Sequence, residues 1–385
     1  MNQLPTEIVY LAVNRWDSMI QREQHLMMGL SQSYRILFID PPLSFLTLIL
    51  GKIRGKKWTL RSRLHRVNDQ LIVYTPPAFP AFSQNLSWVH SLNTKLLISL
   101  ARSLSKEYSF NNYILGVGNP FLGDTVKAFS PLFSYYDCSD NYLTSPRLKG
   151  AKKMLKKLEE DLVRSVDLVF CTSIGLMEAK SPLNQNCFLI PNGVDFPSFL
   201  KGPFVSGTPS DIKEIRKPIL GYIGLIDERL DVYALSGLAK ERPDWSIVMI
   251  GPAISKNVTS ALRNIPNLHL LGEKRYDDLP KYLKAFDVCM IPFRVDDFTR
   301  KIYPTKLHQY FGMGKPVISS RLPDLEQFGP NIGFYSDVKE MEEAVERALM
   351  EDSVEKVLER RRIASENTWD RRVAAIVEIF HNYLR

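Results

Sequence analysis

Short apolar runs alternate with amphipathic segments along most of this 385-residue chain, on both sides of one break in composition. A continuous apolar run such as 8–13 indicates a strand that is buried on both faces, as in a parallel sheet. The break at 196–217 is rich in Pro, Gly and Ser and predicts a linker. Since one core rarely exceeds about 250–300 residues, the alternation predicts two doubly wound, Rossmann-like α/β domains that face a cleft.

The strands predicted before the break are 8–13, 36–39, 71–75, 113–117, 133–136, 168–172 and 188–190. Those predicted after it are 219–223, 246–250, 268–271, 288–291 and 317–319. Helices are predicted between strands, for example at about 18–30, 154–166, 232–241, 278–285 and 305–313, with two or three more over 339–385. Ligands of such sheets bind beyond the carboxyl ends of the strands, so the cleft is the expected site.

The tract at residues 300–319 combines a loop, a short helix and a buried strand. A helix entered through Pro304 presents free backbone N–H groups, which attract phosphate. Lys306 and Gln309 lie three residues apart and share one helix face. A cation and a carboxamide placed there suit a diphosphate and a sugar hydroxyl. The alternative is an ordinary surface helix with a solvated lysine, and the spacing alone does not decide between them.

Two aspartates follow the apolar strand that ends near Tyr136. Asp137 leaves the strand directly, and a carboxyl whose pKa is raised by an apolar pocket can act as a general base on a hydroxyl. Asp140 and Asn141 fit turn and capping chemistry better. That structural alternative remains open for Asp137 as well.

A turn joins the first strand of the second half to its helix. Gly224 in this turn lets the backbone approach a ligand closely. Arg229, at the helix start, is placed to reach a phosphate. A local salt-bridge cap formed by the Asp227-Glu-Arg229 cluster is an equally consistent interpretation.

The net charge of +8 and the pI near 9.1 come partly from residues 45–66, which hold seven Lys/Arg and no acid. The apolar head of this stretch followed by cations favours contact with an anionic membrane surface, although a solvated face is the alternative. A second basic run lies at 149–157. Nucleic acid is a weaker rival partner, because no zinc finger, helix-turn-helix or RNP-like motif is present. The predicted membrane-contacting residues are Lys52, Arg54, Lys56, Lys57, Trp58 and Arg61.

No run of about 18 uncharged apolar residues and no signal-peptide pattern occurs, so we expect a cytoplasmic protein without a membrane span. Motifs of P-loop NTPases, dinucleotide-dependent dehydrogenases, α/β-hydrolases and zinc proteases are missing. The four cysteines form no C-x-x-C pair and are interpreted as reduced, buried thiols: Cys138, Cys171, Cys187 and Cys289.

Taken together, these motifs resemble a family 4-like glycosyltransferase of the GT-B fold, of the type that acts in teichuronic acid and exopolysaccharide synthesis. The resemblance covers nearly the whole chain and depends on the order and spacing of its pieces. Those pieces are Trp16 with 22–27, 38–42, 136–140, 164–170, 190–195, 220–228, 271–280, 300–319 and 369–372.

The resemblance implies an acceptor-binding domain at 1–200, completed by a C-terminal helix at 367–385, and a nucleotide-sugar-binding domain at 201–366. It places Asp137 where xanthan-type glucuronosyltransferases carry an acidic catalytic base. It also implies a nucleotide-sugar donor and a lipid-linked or glycan acceptor. With no nucleic-acid-binding motif in the sequence, we expect no nucleic-acid partner. With the glycine and the arginine of the turn, the predicted donor-binding residues are Gly224, Arg229, Gly272, Glu273, Phe293, Tyr303, Thr305, Lys306 and Gln309.

One departure concerns the donor motif, where many family 4 enzymes carry two glutamates eight residues apart. Here Lys301 and Gln309 occupy those positions, which resembles the K-x-x-Q arrangement of the glucuronosyltransferase-like group and favours an acidic sugar. The departure leaves open whether transfer inverts or retains the anomeric configuration.

No D-x-D motif occurs in a suitable context, so we predict transfer without a metal, with Lys306 and Arg229 stabilising the leaving diphosphate. The expected function is transfer from a UDP-sugar at the inner face of the plasma membrane, in bacterial cell-surface polysaccharide synthesis. The alternatives are a nucleotide-sugar 2-epimerase of GT-B shape and a non-catalytic protein that binds glycans or the membrane surface.

Overall fold

The computed structural model describes residues 6–53, 62–81, 86–123, 125–144, 146–200 and 207–385. The chain divides into two compact units, Met1–Pro191 with Val373–Arg385, and Asn192–Arg372. The first part of the predicted linker is a helix of the second unit, because Phe199 is fully buried in that unit's core. Residues 201–206 of the same stretch lie outside the described residues.

The first unit is built on a mostly parallel sheet, as its apolar runs predict. Its strands are β1 (Glu7–Leu11), β2 (Arg35–Ile39), β3 (Arg63–Arg66), β4 (Leu71–Thr75), β5 (Tyr113–Val117), β6 (Ser134–Cys138), β7 (Leu168–Cys171) and β8 (Cys187–Leu189). Within the described residues the order is β3-β4-β2-β1-β5-β6-β7-β8, and β3 alone runs antiparallel to its neighbour. The inner strands β5, β6 and β7 are buried along their whole length, which is typical of a sheet covered on both faces.

Helices connect these strands. Helix α4 illustrates how the spacing of apolar residues determines which face of a helix is buried. Leu155, Leu158 and Leu162 are buried, while lysines occupy the opposite face. This confirms the amphipathic helix predicted at 154–166. The helices of the first unit up to its last strand are α1 (Arg22–Leu30), α2 (Phe45–Ile53), α3 (Ser87–Glu107), α4 (Lys152–Ser165) and α5 (Ile174–Lys180).

The second unit contains a second parallel sheet. Its helices are α6 (Phe196–Leu200), α7 (Ser210–Lys213), α8 (Val232–Glu241), α9 (Lys256–Arg263), α10 (Leu279–Ala285), α11 (Lys306–Gly312), α12 (Val338–Met350) and α13 (Val354–Glu366). Its strands are β9 (Ile219–Ile223), β10 (Ser246–Ile250), β11 (Leu268–Gly272), β12 (Val288–Ile291), β13 (Val317–Ser320) and β14 (Ile332–Tyr335). The order β11-β10-β9-β12-β13-β14 reverses direction at β9, and every pairing is parallel. The two sheets confirm the predicted α/β class.

The last helix, α14 (Trp369–Tyr383), returns the chain to the first unit from Val373 onward. Phe380 is fully buried there, with its ring centroid 5.2 Å from that of Phe133 and 5.4 Å from that of Tyr135. Gly29 of α1 leaves room for Val373, since a Cβ at that glycine would lie 2.5 Å from a methyl group of the valine. An aromatic cluster therefore holds the C-terminal segment on this unit.

The basic stretch at 45–66 is described only in part. The residues Arg54, Lys56, Lys57, Trp58 and Arg61, and the side chain of Lys52, lie outside the described residues. Its last residues form β3, an exposed edge strand that the sequence pattern did not predict. Within the described parts of the chain, no helix combines the length and the apolar composition needed to cross a bilayer.

Candidate functional site

An ammonium group lies over two aromatic rings at the carboxyl ends of β9 and β12. The Nζ of Lys306, the first residue of α11, is 5.1 Å from the ring centroid of Tyr222 and 4.9 Å from that of Phe293. Among the described residues, the structure gives this ammonium no hydrogen bond and no ion pair. The start of α11 thus places a partly buried cation, held by ring contacts, at the edge where parallel sheets bind ligands.

Burial shifts the titration of this lysine. Loss of hydration, together with the positive charge of Arg229, lowers the pKa of Lys306 to about 7, and Asp227 acts in the opposite direction. Keeping this lysine charged therefore costs free energy, and a bound anion would reduce that cost.

Three glycines shape the loops beside this cation. Gly224 adopts φ 150°, and a Cβ there would lie 3.0 Å from the Lys306 Nζ. A Cβ on Gly251, which also has positive φ, would lie 2.0 Å from the carbonyl oxygen of Gly224. The backbone N–H of Gly251 donates to Gly272, so the loops after three adjacent strands are joined. A side chain at either of the first two positions would push these loops apart.

Arg229 forms a local salt bridge, which was one of the two roles that its sequence position suggested. Its Nη2 lies 2.9 Å from Asp227 Oδ2, and its Nε donates to the same carboxylate at 2.9 Å. Its guanidinium carbon is also 5.5 Å from the Phe293 ring centroid. The carboxylate fixes the arginine next to Lys306, so Arg229 contributes positive charge to the site whether or not it touches a ligand.

Tyr303 is buried, and its hydroxyl lies 2.6 Å from Nε2 of His308. Burial lowers the pKa of His308 to about 3, so this imidazole is neutral. The Tyr303 carbonyl accepts a hydrogen bond from the Asn192 side chain at 2.9 Å. These contacts give Tyr303 a supporting position under α11 and leave its hydroxyl committed to the histidine.

The other predicted donor residues lie around the same helix and loops. Thr305 is the N-cap residue of α11 but makes no side-chain capping bond. Gln309 interacts with the Tyr276 hydroxyl and opposes the rise that burial causes in the pKa of that tyrosine. Glu273 is exposed next to Gly272, which has φ 72° and open space around its Cα. The second unit therefore carries all nine predicted donor residues.

In the first unit, Asp137 is not in the apolar pocket that the sequence predicts. It is only 2 % exposed and forms an ion pair with Arg22, whose Nη2 lies 2.8 Å from Oδ1. The Arg22 Nε donates to both carboxylate oxygens, at 3.0 and 3.1 Å. Its Nη1 donates to the carbonyl of Ile190 at 2.8 Å. The arginine thus connects the end of β6 to the segment that follows β8.

Next to this pair, Glu23 is a carboxyl that sequence reasoning missed. It accepts hydrogen bonds from the Tyr10 hydroxyl at 3.0 Å, from the Val13 N–H at 3.0 Å and from the Asn14 N–H at 2.9 Å. Burial raises the pKa of Glu23 to about 7, although the backbone donors oppose this shift. The sequence places Glu23 in the first turn of an ordinary helix, so only the three-dimensional structure shows that this turn faces the core.

Comparison with known proteins shows which proteins this chain is similar to. Residues 217–351 match the family described as glycosyl transferases group 1. Over 213 residues the chain is 27% identical to TuaH of Bacillus subtilis (strain 168), named for a role as a glycosyltransferase in teichuronic acid biosynthesis. That match covers 50% of this chain and 53% of the relative, so the chain spans about half the length of the curated relative.

Two solved structures resemble the fold over its full length. An E. coli structure described as trehalose-6-phosphate bound with UDP-2-fluoro glucose gives a TM-score of 0.72 at 12% identity, covering 97% of this chain and 98% of that one. Anabaena Alr3699/HepE in complex with UDP gives 0.65 at 15% identity, covering 98% and 100%. These likenesses confirm the GT-B fold.

The family match identifies a glycosyl transferases group 1 domain in the second unit, in the segment that holds Lys306 and Gly224. Together with the GT-B fold, it confirms the resemblance to family 4-like glycosyltransferases. The comparisons support the class glycosyltransferase. The roles predicted for individual residues and the domain roles stay predictions.

Proposed function

We propose that this protein transfers a sugar from a nucleoside-diphosphate sugar, a UDP-sugar, to a lipid-linked or glycan acceptor in bacterial cell-surface polysaccharide synthesis. The observation that carries the proposal is the Lys306 ammonium, which lies over Tyr222 and Phe293 beside Gly224 within the matched domain. Negative charge builds on the diphosphate as the bond to the sugar breaks. A fixed cation in a site of low dielectric constant stabilises that charge.

The choice of uridine is supported by relatives rather than by the site. Two structures of the same fold were solved with UDP-2-fluoro glucose and with UDP. In this chain we assign the diphosphate to Lys306 and the nucleoside to the loop at Gly272 and Glu273, where the backbone is open. We further propose that transfer proceeds without a metal ion, because Lys306 supplies positive charge where the leaving group develops.

We assign the acceptor to the first unit. If the reaction inverts the anomeric centre, the Asp137 carboxylate takes the proton of the acceptor hydroxyl, whose oxygen attacks the anomeric carbon while UDP departs. Arg22 would hold this carboxylate in place. If the reaction retains the configuration, no such base is needed, and the pair has a purely structural role.

A thermal-shift screen against UDP, GDP, ADP and CMP tests this function. A ligand that binds only the native state stabilises it by about 2.7 kcal/mol at 100 times its dissociation constant. We therefore expect UDP to raise the melting temperature by several degrees, equally in EDTA and in Mg²⁺. No shift with any nucleotide would favour the non-catalytic binding protein. Consumption of a UDP-sugar without an acceptor would favour the epimerase.

We also propose that the acceptor is reached from an anionic membrane surface. Helix α2 exposes five large apolar side chains, all at least 42% accessible, at spacings that place them on one face. The basic residues of 52–66 follow this helix directly in the sequence. Apolar side chains that insert next to cations are typical of interfacial helices. The five residues are Phe45, Leu46, Ile49, Leu50 and Ile53.

Vesicle flotation tests the membrane proposal. We expect the protein to bind phosphatidylglycerol-containing vesicles more tightly than pure phosphatidylcholine ones, and less tightly at high salt. The double change Ile49→Ser and Ile53→Ser is expected to weaken binding by about tenfold or more, since it removes apolar surface that would be buried in the bilayer. The matched control is Met350→Ser, an equally exposed apolar residue of the second unit. Equal losses in both variants, or none in either, would contradict the assignment to α2.

A further inference from the structure

Three of the four cysteines lie on one face of the sheet in the first unit. Cys138 and Cys171 are register partners across β6 and β7. Cys187 of β8 pairs with Val169, two residues before Cys171 on the same strand. Because alternate residues of a strand share a face, the three thiols point to the same side. Interaction with both neighbouring thiols raises the pKa of the Cys171 thiol.

The three thiols differ in their access to solvent. Cys138 and Cys171 are fully buried, whereas Cys187 is partly exposed. Cys187 begins a three-residue strand at the edge of the sheet, after a turn whose Asn184 carbonyl accepts its Sγ–H at 3.1 Å. A dissolved reagent therefore meets Cys187 first, and among the described strands its strand pairs only with β7.

A buried cation lies beside this cluster. Lys180 Nζ is 2.8 Å from the carboxylate of Glu159, and both side chains are nearly inaccessible. Interaction with the Cys171 thiol lowers the pKa of the Cys187 thiol, with smaller contributions from Ser181 and from the charge of Lys180, while burial opposes them. A partly exposed thiol next to a cation and a second thiol is the environment of oxidation-sensitive cysteines.

We propose that Cys187 is a site of reversible oxidation by hydroperoxides and that Cys171 is its resolving thiol. The Cys187 thiolate attacks one peroxide oxygen, which gives a sulfenic acid and releases water from hydrogen peroxide after proton uptake. The sulfur of Cys171 then attacks the Cys187 sulfur, and the hydroxyl leaves with the Cys171 proton as a second water. Two thiols lose two electrons and one peroxide gains them. A dithiol reductant reverses the step.

The Cys171–Cys187 pair lies close in sequence to a contact of the Arg22–Asp137 ion pair. Strand β8 runs directly into Ile190, whose carbonyl accepts the hydrogen bond from Arg22. A bond between Cys171 and Cys187 would tie β7 to this strand. The proposed oxidation is independent of the glycosyltransferase function and can be tested without an assay of it.

Peptide mapping of the full-length protein, treated natively with hydrogen peroxide, tests the proposal. We expect a disulfide that joins tryptic peptides 165–180 and 181–201 and disappears with dithiothreitol. In Cys171→Ser the sulfenic acid cannot be resolved, so dimedone should label Cys187. In Cys187→Ser neither product should form. Cys289→Ser, which alters a buried thiol of the other unit, is the matched control and should behave like the wild type.

The reduced protein offers a second readout that needs no variant. Limited alkylation should modify Cys187 at least about tenfold faster than the other three thiols. A wild-type protein that forms no disulfide, or a dimedone adduct on Cys138 instead, would overturn the proposal. So would a Cys138–Cys171 disulfide formed equally well in Cys187→Ser. If Cys171→Ser lowers the melting temperature strongly, Cys171→Ala replaces it, and the wild-type disulfide remains decisive.

Discussion

Lys306→Ala is expected to weaken UDP binding by about 100-fold and to lower turnover by about 10²–10³. A hydrogen-bonded contact with a charged group contributes about 1.5–3 kcal/mol to binding. Loss of one donor to a developing charge costs about 2.7–4 kcal/mol in the transition state. The ammonium has ring contacts but no ion pair among the described residues. Its removal should therefore not lower the melting temperature of the unliganded protein. Calorimetry with UDP and a thermal melt measure both effects.

Lys315→Ala is the matched control for this variant. Lys315 follows the same helix and is also largely buried, but its Nζ donates to the carbonyls of Lys284 and Phe286, at 3.0 and 2.6 Å. Its loss leaves two carbonyls without that donor, so we expect a lower melting temperature and unchanged UDP affinity. UDP binding that survives Lys306→Ala at wild-type strength would remove the donor assignment.

The same lysine gives UDP binding a pH dependence of known sign. Its pKa lies near 7 in the unliganded protein, against 10.5 in the unfolded chain. A bound diphosphate raises this pKa. Binding therefore takes up a proton at any pH between the pKa of Lys306 in the unliganded protein and its higher pKa in the UDP complex. Affinity should then fall as the pH rises above about 7, by up to about tenfold per unit. Titrations in two buffers with different ionisation enthalpies measure the proton uptake.

Two observations check this assignment. Lys306→Arg keeps its charge at every pH of the series, so its UDP affinity should be nearly independent of pH above about 7. Between about pH 7 and 10 the unfolded chain binds more protons at Lys306 than the folded one, so this residue makes the unliganded protein more stable as pH rises. Identical pH profiles for the wild type and Lys306→Arg would mean that another group titrates.

The fold was predictable because its strands are marked by apolar runs. Strands such as β4 and β9 have the bounds that their runs predict, and the others that were predicted lie within two residues. Of the two strands that sequence reasoning missed, β3 is Arg-Leu-His-Arg and exposed, so its sequence is weakly constrained. Strand β14 is a short apolar run, with Ile332 and Tyr335 buried in the core, and four residues after an irregular turn give only a weak signal.

The candidate site was predictable only where its residues are close in sequence. Lys306 and Gly224 were found because glycine turns and helix starts have local signals. The partnership of Arg22 with Asp137 joins residues 115 positions apart, and no pattern within either segment indicates it. The same applies to Glu23, which the packing of α1 against the sheet turns from a surface carboxyl into a buried one.

Asp137→Asn is expected to lower turnover by about 10²–10⁴ if the reaction needs a general base, because the amide cannot accept the acceptor's proton. UDP affinity should stay at the wild-type value, since the donor residues belong to the other unit. The change also leaves the buried Arg22 without its counter-charge, which typically costs about 3–5 kcal/mol. Loss of activity in this variant alone therefore has two possible causes.

The double variant Arg22→Gln with Asp137→Asn separates these causes. It replaces a buried ion pair by two neutral amides, so it should recover much of the melting temperature lost in Asp137→Asn. A catalytic carboxylate cannot be recovered in this way, and turnover should stay low. Recovery of turnover together with stability would show that Asp137 only holds Arg22 against the Ile190 carbonyl. That outcome would favour a retaining reaction, in which the negative charge of the departing diphosphate assists the acceptor hydroxyl.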